Sequence, residues 1–386
     1  MQRKRIILFF SHSAALYGAE RSLLDLILGL DQTQFYPIVA LPAEGPLADR
    51  LRTNNIEVRI TGHQNWMGGK YFLLAAALRF GANLKTYFKL KKELADTPID
   101  LVYTNTSATP MGGFIARVLG VPHLWHIREF IPKGTGGKFY YGTQRSFNFI
   151  QKAASTIVCN SHQLKDALRA YLPAGQMEVV HNGILADKPA APEKQPPSRD
   201  KEVVFGMVGS LNPSKGIADA IQALAQLKAS GITGRLLVAG DGLERNKVAF
   251  NELATSLGVT HQIEWLGYLD DPSIVYQRSH IVLICSRWES FGRVAVEAGA
   301  WGCPVVASNK GGLLEVIEEE KTGLFYEPGD VEGLVAKIKK LVDRPNLYHV
   351  ISLHAPVSVY NRFSTRQYIE RMVQVMQRQI EEKASV

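Results

Sequence analysis

Residues 286–297 read Ser-Arg-Trp-Glu-Ser-Phe-Gly-Arg-Val-Ala-Val-Glu, and an apolar run, Ile281–Cys285, leads directly into them. The run predicts a buried strand, and the residues that follow have a helical pattern. Glu289 is then expected in the loop and Glu297 about one turn into the helix. A helix N-terminus offers unpaired N–H groups to a phosphate, and carboxylates accept hydrogen bonds from sugar hydroxyls. The stretch suits a nucleotide-sugar, although alone it would also fit two solvated carboxylates.

The strand-loop-helix pattern recurs through the second half of the chain. Strands are predicted at 203–208, 235–239, 262–265, 304–307 and 323–326, and helices at 216–228 and 245–257. Lys215 lies in the glycine-flanked turn after the first of these strands, where a lysine can meet a pyrophosphate or simply be solvated. This turn is not a Walker A loop, and Gly240-Asp241-Gly242 lacks the third glycine of a dinucleotide fingerprint. Because the chain contains no Asp-x-Asp, we expect no divalent metal bound by carboxylates. No other cofactor is expected.

The first half alternates in the same way. Strands are predicted at 5–10, 36–41, 57–60, 100–104, 123–126 and 156–159, and helices at 19–30, 46–53, 111–119, 139–153 and from the N-cap Ser161 to about residue 171. The tail, 346–382, has a helical pattern with a predicted break at Pro356. Such alternation predicts parallel sheets covered by helices, with ligands at the carboxyl ends of the strands.

We therefore predict an α/β protein with two Rossmann-like, doubly wound domains that face each other across a cleft. The first domain is expected at 1–185 and the second at 203–363. A proline-rich linker is expected between them at 186–202. Residues 364–386 are expected to form a helix that packs back toward the first domain.

Composition restricts the classes of function. The chain has 386 residues, of which 46% are apolar and 21% charged, which is typical of a globular protein. Its formal charge of +8 lies in the first half, where residues 1–182 carry 21 Lys and Arg against 12 Asp and Glu. A basic half could face nucleic acid, an anionic membrane or an acidic substrate. No recognised nucleic-acid motif accompanies it, so nucleic acid is not predicted as a partner.

The cysteines and the N-terminal residues indicate the cellular compartment of the protein. Cys159, Cys285 and Cys303 are far apart and odd in number, which favours buried free thiols in a cytoplasmic protein. No apolar run approaches the length of a transmembrane helix. The apolar segment after Arg3 is too short for a signal peptide and is interpreted as a strand.

The segment Trp66–Leu94 mixes aromatic and basic residues at helical spacing. This mixture is typical of a helix on a membrane surface, and a core helix with a solvated lysine face is the alternative. An anionic membrane is therefore a candidate partner, and the protein could lie peripherally on the inner face of the membrane.

The second half resembles the family 4 retaining glycosyltransferases of the GT-B fold, of the type that assembles bacterial polysaccharides and glycolipids. The motifs that carry the resemblance are Lys215-Gly216, Gly240-Asp241-Gly242, Leu266-Gly267-Tyr268, the Glu289-x7-Glu297 unit, Gly302-x-Pro304 and Gly311-Gly312-x-x-Glu315. The first half is similar more loosely, through Gly18-Ala19-Glu20-Arg21, His126-Ile127-Arg128-Glu129, Asn160-Ser161 and Asn182-Gly183.

The resemblance implies a hexosyltransferase that keeps the anomeric configuration and needs no metal. It would use a UDP- or GDP-sugar, with UDP-glucose favoured, and a glycan or lipid-linked acceptor. Lys215, Glu289 and His126 would act on the pyrophosphate and the transferred sugar. The implied donor site comprises Gly18, Ser210, Lys215, Gly242, Leu266, Tyr268, Glu289, Ser290, Phe291, Gly292, Arg293, Val294 and Glu297, of which Leu266 and Tyr268 would line the base site and Glu297 would bind the ribose.

Two positions depart from the family pattern. The glycine doublet usual before Ala-Glu in the first loop is reduced to Tyr17-Gly18. Ser210 stands where the family usually has an arginine that partners the lysine on the pyrophosphate. Arg293 could supply this charge, or the pyrophosphate could be held more weakly. Two other functions therefore stay open: a nucleotide-sugar epimerase on the same fold, and a non-catalytic nucleotide-sugar-binding protein.

Overall fold

A computed structural model describes residues 3–68, 72–129, 138–183 and 194–384. The predicted linker 186–202 therefore lies outside the described residues as far as residue 193. The helices are α1 (Gly18–Leu28), α2 (Pro46–Thr53), α3 (Phe72–Glu93), α4 (Met111–Leu119), α5 (Thr143–Ala153), α6 (His162–Leu168), α7 (Ile217–Ala229), α8 (Glu244–Ser256), α9 (Ser273–Arg278), α10 (Arg293–Ala300), α11 (Leu313–Val316), α12 (Val331–Asp343), α13 (Pro345–Phe363) and α14 (Thr365–Ala384).

The strands of the described residues form two parallel sheets and one short antiparallel pair, β4 with β7. They are β1 (Arg5–Ser11), β2 (Phe35–Leu41), β3 (Glu57–Ile60), β4 (Met67–Gly68), β5 (Ile99–Asn105), β6 (His123–Ile127), β7 (Lys138–Phe139), β8 (Thr156–Cys159), β9 (Met177–Val179), β10 (Val203–Val208), β11 (Gly234–Ala239), β12 (Ile263–Gly267), β13 (Ile281–Ile284), β14 (Val305–Ser308) and β15 (Gly323–Tyr326).

The chain divides into two compact units. Unit 1 comprises Met1–Gly183 with Thr365–Val386, and unit 2 comprises Ile184–Ser364. The sheet of unit 1 has the order β3-β2-β1-β5-β6-β8-β9, and the sheet of unit 2 has the order β12-β11-β10-β13-β14-β15. Each order reverses beside the first strand of its unit, as in a doubly wound Rossmann-like sheet. The predicted α/β class is confirmed.

In unit 1, alternate residues of β1 feed two separate apolar layers. Ile7 and Phe9 pack with α1, α2 and α14, while Leu8 and Phe10 pack with α3 and α4. A strand with apolar residues on both faces is what a sheet covered on both sides requires. Tyr368 and other residues of α14 are part of the first layer, so the last helix belongs to this unit.

In unit 2, the corresponding first strand is β10. Val203, Phe205 and Met207 pack with α7 and α12 on one face, and Val204 lies in a smaller cluster on the other. On that other face α10 and α13 pack against β13 and β14. Both faces of the sheet are therefore covered by helices.

Two predicted helix boundaries were wrong. The helix expected at 139–153 begins at Thr143, because Phe139 pairs with Met67 in the antiparallel β4–β7 ladder. The break expected at Pro356 is absent: α13 runs through this proline and ends at Phe363. Burial of Ala355 and Val359 against the core holds the helix together despite the lost N–H donor.

The segment Trp66–Leu94 is part core and part surface. Trp66 is buried against Trp125 and Phe139 and does not belong to a helix, contrary to the helical spacing predicted for it. Helix α3 buries one face through Leu90 and exposes its lysines on another. Among the described residues, no helix is long and apolar enough to cross a membrane.

The three cysteines are buried free thiols, as predicted. Burial raises the pKa of Cys159, Cys285 and Cys303 to about 12, so these thiols stay protonated at neutral pH.

Candidate active site

The candidate donor site lies at the point where the strand order of unit 2 reverses. Strands β10 and β13 pair in parallel there, with Phe205 opposite Ile281, although these two residues are far apart in the sequence. The loop after β10 contains Lys215, and the loop after β13 contains Glu289. Ligands of open α/β sheets bind in the crevice at such a reversal. The topology therefore brings the two principal motifs to one place.

A glycine fixes the approach of these two loops. Gly216 has a φ of +68°, and a Cβ atom on it would lie 2.0 Å from the carbonyl oxygen of Cys285. Any larger residue would push the first loop away from the end of β13. The amide of Arg287 also donates a hydrogen bond of 2.8 Å to the carbonyl of Ser214, so backbone contacts join the loops on both sides of Lys215.

Lys215 and Glu289 form an ion pair in this crevice. The hydroxyl of Ser286 donates a second hydrogen bond to the same carboxylate, at 2.7 Å from Oε1. The side chains stay 32% and 19% exposed, so both groups can still meet a ligand. Ser210 and Val294 line the same pocket.

Glu297 is held by two partners inside unit 2. The Tyr276 hydroxyl lies 2.5 Å from its Oε2, and Nε of Arg293 lies 2.7 Å from its Oε1. The positive charge of Arg293 is thus shared with a carboxylate four residues further along α10. Tyr276 was not predicted from the sequence, because a tyrosine in a short helix indicates only core packing.

The turn into α10 depends on glycine. Gly292 precedes the helix with a φ of +101°, and a Cβ atom there would lie 2.7 Å from Leu313. The side chain of Phe291 is buried, which leaves its backbone rather than its ring available to a ligand. Ser290 lies beside it, and a Cβ atom on Gly312 would lie 2.6 Å from the Ser290 carbonyl oxygen. This close packing sets the position of the helix N-terminus at which a phosphate is expected.

The residues predicted for the base site, Leu266 and Tyr268, lie at the carboxyl end of β12, and Gly242 follows the neighbouring strand β11. The amide of Leu211, next to Ser210, donates to the carbonyl of Asp241 at 2.8 Å, which links the loop after β10 to Gly242. Leu266 is partly buried against the sheet, whereas Tyr268 is 41% exposed.

In unit 1, the predicted His126 lies at the carboxyl end of β6 and is fully buried. The Tyr103 hydroxyl lies 2.6 Å from its Nδ1, and its Nε2 has no hydrogen-bond partner among the described residues. Burial, reinforced by the charge of Arg128, lowers the pKa of His126 well below its usual range. The imidazole is therefore neutral at physiological pH.

Arg128 organises the buried polar residues around this histidine. Its guanidinium donates to Asn105 at 2.6 Å, to Asn182 at 2.5 Å and to the hydroxyl of Tyr368 on α14 at 2.8 Å. The sequence motifs include Arg128 and Asn182 but give no sign of Tyr368, since a tyrosine on an amphipathic helix predicts only core packing.

Gly18 begins α1, the helix that follows the first strand. Glu20, in its first turn, is buried and lies 3.2 Å from Nδ1 of His12. Desolvation raises the pKa of Glu20 above its usual range, although the nearby His12 opposes this. The loop after β1 and the first turn of α1 thus carry a second polar cluster, in the same segment as Gly18.

Two protein-family models match successive halves of the chain. The family described as "Glycosyltransferase Family 4" matches residues 17–188, and that described as "Glycosyl transferases group 1" matches residues 190–356. Together they span most of the sequence, and their boundary, between residues 188 and 190, lies a few residues after the start of unit 2 at Ile184.

Curated relatives match the chain in part. The glycogen synthase of Mycobacterium tuberculosis is 30% identical over 199 residues, which cover 51% of this chain and 47% of that protein. The D-inositol 3-phosphate glycosyltransferase of Rhodococcus erythropolis is 34% identical over 163 residues, covering 40% of this chain and 37% of the relative. The chain therefore matches about half the length, or less, of these relatives.

Solved structures match the whole fold. Anabaena Alr3699/HepE, solved in complex with UDP and glucose, covers 96% of this chain and 99% of its own with a TM-score of 0.79 and 23% sequence identity. The same protein has been solved in complex with UDP-glucose. Fold, motif order and both family matches agree, and the chain belongs to the family 4 glycosyltransferases of the GT-B fold.

Proposed function

We propose that this protein is a retaining glycosyltransferase that moves a hexose from a nucleotide diphosphate sugar, with UDP-glucose favoured, in the synthesis of a cell-surface polysaccharide. The observation that carries the proposal is the ion pair of Lys215 with Glu289 at the β10–β13 crevice of unit 2, where Val294 of α10, the helix that also carries Glu297, lines the same pocket. One cation for the diphosphate and two carboxylates for hydroxyl groups are the polar groups that such a donor requires.

Lys215 is proposed to neutralise the donor pyrophosphate. An ammonium group has three donors, so Lys215 can keep its contact with Glu289 and still bind a phosphate oxygen. Glu289 would accept a hydrogen bond from a sugar hydroxyl through Oε2, since both of its hydrogen bonds with other described residues are made through Oε1. Glu297 would bind the ribose, with its carboxylate oriented by Tyr276 and Arg293.

The proposed catalysis is mainly electrostatic. The leaving diphosphate would be stabilised by Lys215 and by backbone N–H groups at the start of α10. A phosphate oxygen would take the acceptor proton on the same face of the sugar, so no side-chain nucleophile and no metal are required. His126, neutral and with Nε2 without a partner among the described residues, would meet the transferred sugar.

The non-catalytic alternative has specific support. Ser210 brings no charge to the pyrophosphate, and both expected cations, Lys215 and Arg293, are ion-paired with carboxylates. A protein that binds the donor without transfer would also have these features. The epimerase alternative has no comparable support, because the sequence motifs supply no acid or base for the sugar beyond Glu289 and His126.

We propose a glycan or lipid-linked acceptor and a peripheral position on an anionic membrane, reached from the cytoplasm. Helix α3 exposes Lys85, Lys89, Lys91 and Lys92 beside large apolar side chains. Changing these four lysines to glutamate should release the protein from anionic vesicles at low salt. Unchanged sedimentation with the vesicles would show that the lysines form only a solvated face.

The experiment for the activity is a donor panel of UDP-, GDP- and ADP-sugars, assayed with a chelator present. We expect slow release of sugar from one base class, with the anomeric configuration of the donor kept. Release of the opposite anomer would contradict a retaining mechanism, and complete dependence on added divalent metal would contradict metal independence. Donor binding without release, with any acceptor, would favour the non-catalytic alternative.

A further inference from the structure

A large apolar cavity opens on unit 1, at a distance in sequence from every residue assigned to the donor. Its volume is about 610 Å³, within the range of pockets that bind small molecules. It is lined by residues of α3, α4 and α5 together with Trp66, Pro110 and Tyr141. Its apolar lining consists mainly of Phe80, Leu84, Tyr87, Phe114, Tyr141 and Phe149.

The walls of the cavity are connected aromatic rings. The rings of Phe114 and Phe149 lie 4.6 Å apart, and Trp66 meets Phe149 edge-on at 5.6 Å. Several of these side chains are nevertheless exposed, Phe80 by 56% and Leu84 by 45%. Large apolar side chains exposed around a single cavity mark a binding surface more often than chance packing.

Three uncharged polar side chains of the lining already have hydrogen-bond partners within the protein. Asn83 exchanges hydrogen bonds with the backbone of Gln64, at 2.7 Å and 3.0 Å. The Ser146 hydroxyl donates to the carbonyl of Gly142 at 3.0 Å, and the Tyr141 hydroxyl donates to the carbonyl of Ala76 at 3.2 Å. The interior therefore suits an apolar occupant.

Positive charge lies on the same lining. Arg117 and Arg145 are both exposed, and neither makes an ion pair with the residues that the structure describes. Unpaired guanidinium groups bind phosphate through several N–H donors. An apolar cavity whose lining includes two arginines with no ion-pair partner among the described residues complements a hydrocarbon chain that carries a phosphate.

We propose that this cavity binds the hydrocarbon chain of a phosphate-headed membrane lipid, with the phosphate on Arg117 and Arg145. The proposal goes beyond the transfer reaction, because lipid binding by unit 1 does not require a working donor site. It also differs from adsorption of α3 on a membrane, since the hydrocarbon chain of the lipid would enter the cavity rather than lie along the outer face of the helix.

The test uses alkyl phosphates below their micellar concentrations, titrated into the full chain. We expect affinity to rise about fourfold for each added methylene until the cavity is filled, and then to level off. Decanol should bind more weakly than decyl phosphate, and Arg117→Gln with Arg145→Gln should remove that difference. Affinity that does not depend on chain length would overturn the proposal.

A matched pair of variants separates the cavity from the helix surface. Leu84→Asp places a carboxylate in the lining, whereas Leu78→Asp makes the same change on α3 at a residue that is 66% exposed and outside the lining. We expect the affinity for decyl phosphate to fall at least tenfold in Leu84→Asp and to change little in Leu78→Asp. The circular dichroism spectrum should be unchanged in both variants. Equal losses would place binding on the outer face and reject the cavity. Repeating the titration with Lys215→Ala, which should bind lipid normally, keeps this result independent of the donor site.

Discussion

The hydroxyl of Tyr276, on α9, lies 2.5 Å from Oε2 of Glu297, on α10. The tyrosine is buried, and Arg293 occupies the other carboxylate oxygen at 2.7 Å. The carboxylate proposed to bind the ribose is therefore oriented before any donor arrives. Preorganisation of this kind reduces the entropy lost when a ligand binds.

Tyr276→Phe tests this orientation. The variant keeps the ring and removes one hydrogen bond, so we expect donor binding to weaken about threefold to tenfold, with a smaller effect on kcat. KM and kcat for the nucleotide-sugar measure the two effects. Tyr348→Phe is the matched control, because that buried tyrosine of unit 2 donates at 2.8 Å to the carbonyl of His280, away from Glu297. Equal effects of the two substitutions would show that Tyr276 has only a structural role.

Tyr103→Phe tests the positioning of His126. The hydroxyl of Tyr103 contacts Nδ1, and the Arg128 guanidinium lies 3.4 Å from that hydroxyl on the other side. We expect kcat to fall about tenfold while donor affinity stays unchanged, because the histidine would lose its fixed orientation and tautomer. Calorimetric titration of the donor measures its affinity, and steady-state kinetics measures kcat, so the two effects are separated. A loss of donor affinity equal to the loss in kcat would count against a positioning role.

The buried His123 predicts how stability depends on pH. Burial lowers its pKa from 6.5 to about 4. Between these values the unfolded chain takes up the proton and the folded chain does not, so the free energy of unfolding falls as the pH drops below 6.5. From pH 7 to pH 5 this one group should account for a loss of about 2 kcal/mol.

His123→Gln should flatten that dependence by about the same amount, as measured by urea unfolding followed by tryptophan fluorescence. The variant forfeits the contacts to Thr104 and Ala153, so it should be less stable at pH 7 as well. His261→Gln, at an exposed position, is the control and should leave the slope unchanged. An unaltered slope in His123→Gln would mean that this histidine is not the group that titrates.

Most of the architecture could be predicted from local patterns. Apolar runs gave the strands of both sheets, and the glycine-containing turns marked the loops at their carboxyl ends. The pairing of Lys215 with Glu289 could not be predicted, because it depends on β10 and β13 being neighbours in space. Tyr103 and Tyr368 gave no signal either, since their roles come from the buried Arg128 between them.

One relationship could have been predicted from spacing. Arg293 and Glu297 stand four residues apart on one helix, where opposite charges commonly pair. That spacing argues against Arg293 as a ready substitute for the arginine that Ser210 replaces. The pyrophosphate would then depend mainly on Lys215 and on the helix N-terminus.

The most direct measurement is calorimetric titration of UDP-glucose, with a chelator present, into the protein and two lysine variants. The account predicts saturable binding to the unaltered protein and to Lys337→Ala, a change of a lysine that is as exposed as Lys215 and is paired with Glu319 on the surface of unit 2. It predicts that Lys215→Ala weakens binding about tenfold to a hundredfold, because a charge-assisted contact to the diphosphate is lost. Binding by Lys215→Ala that equals that of the unaltered protein would contradict the donor site proposed at the β10–β13 crevice.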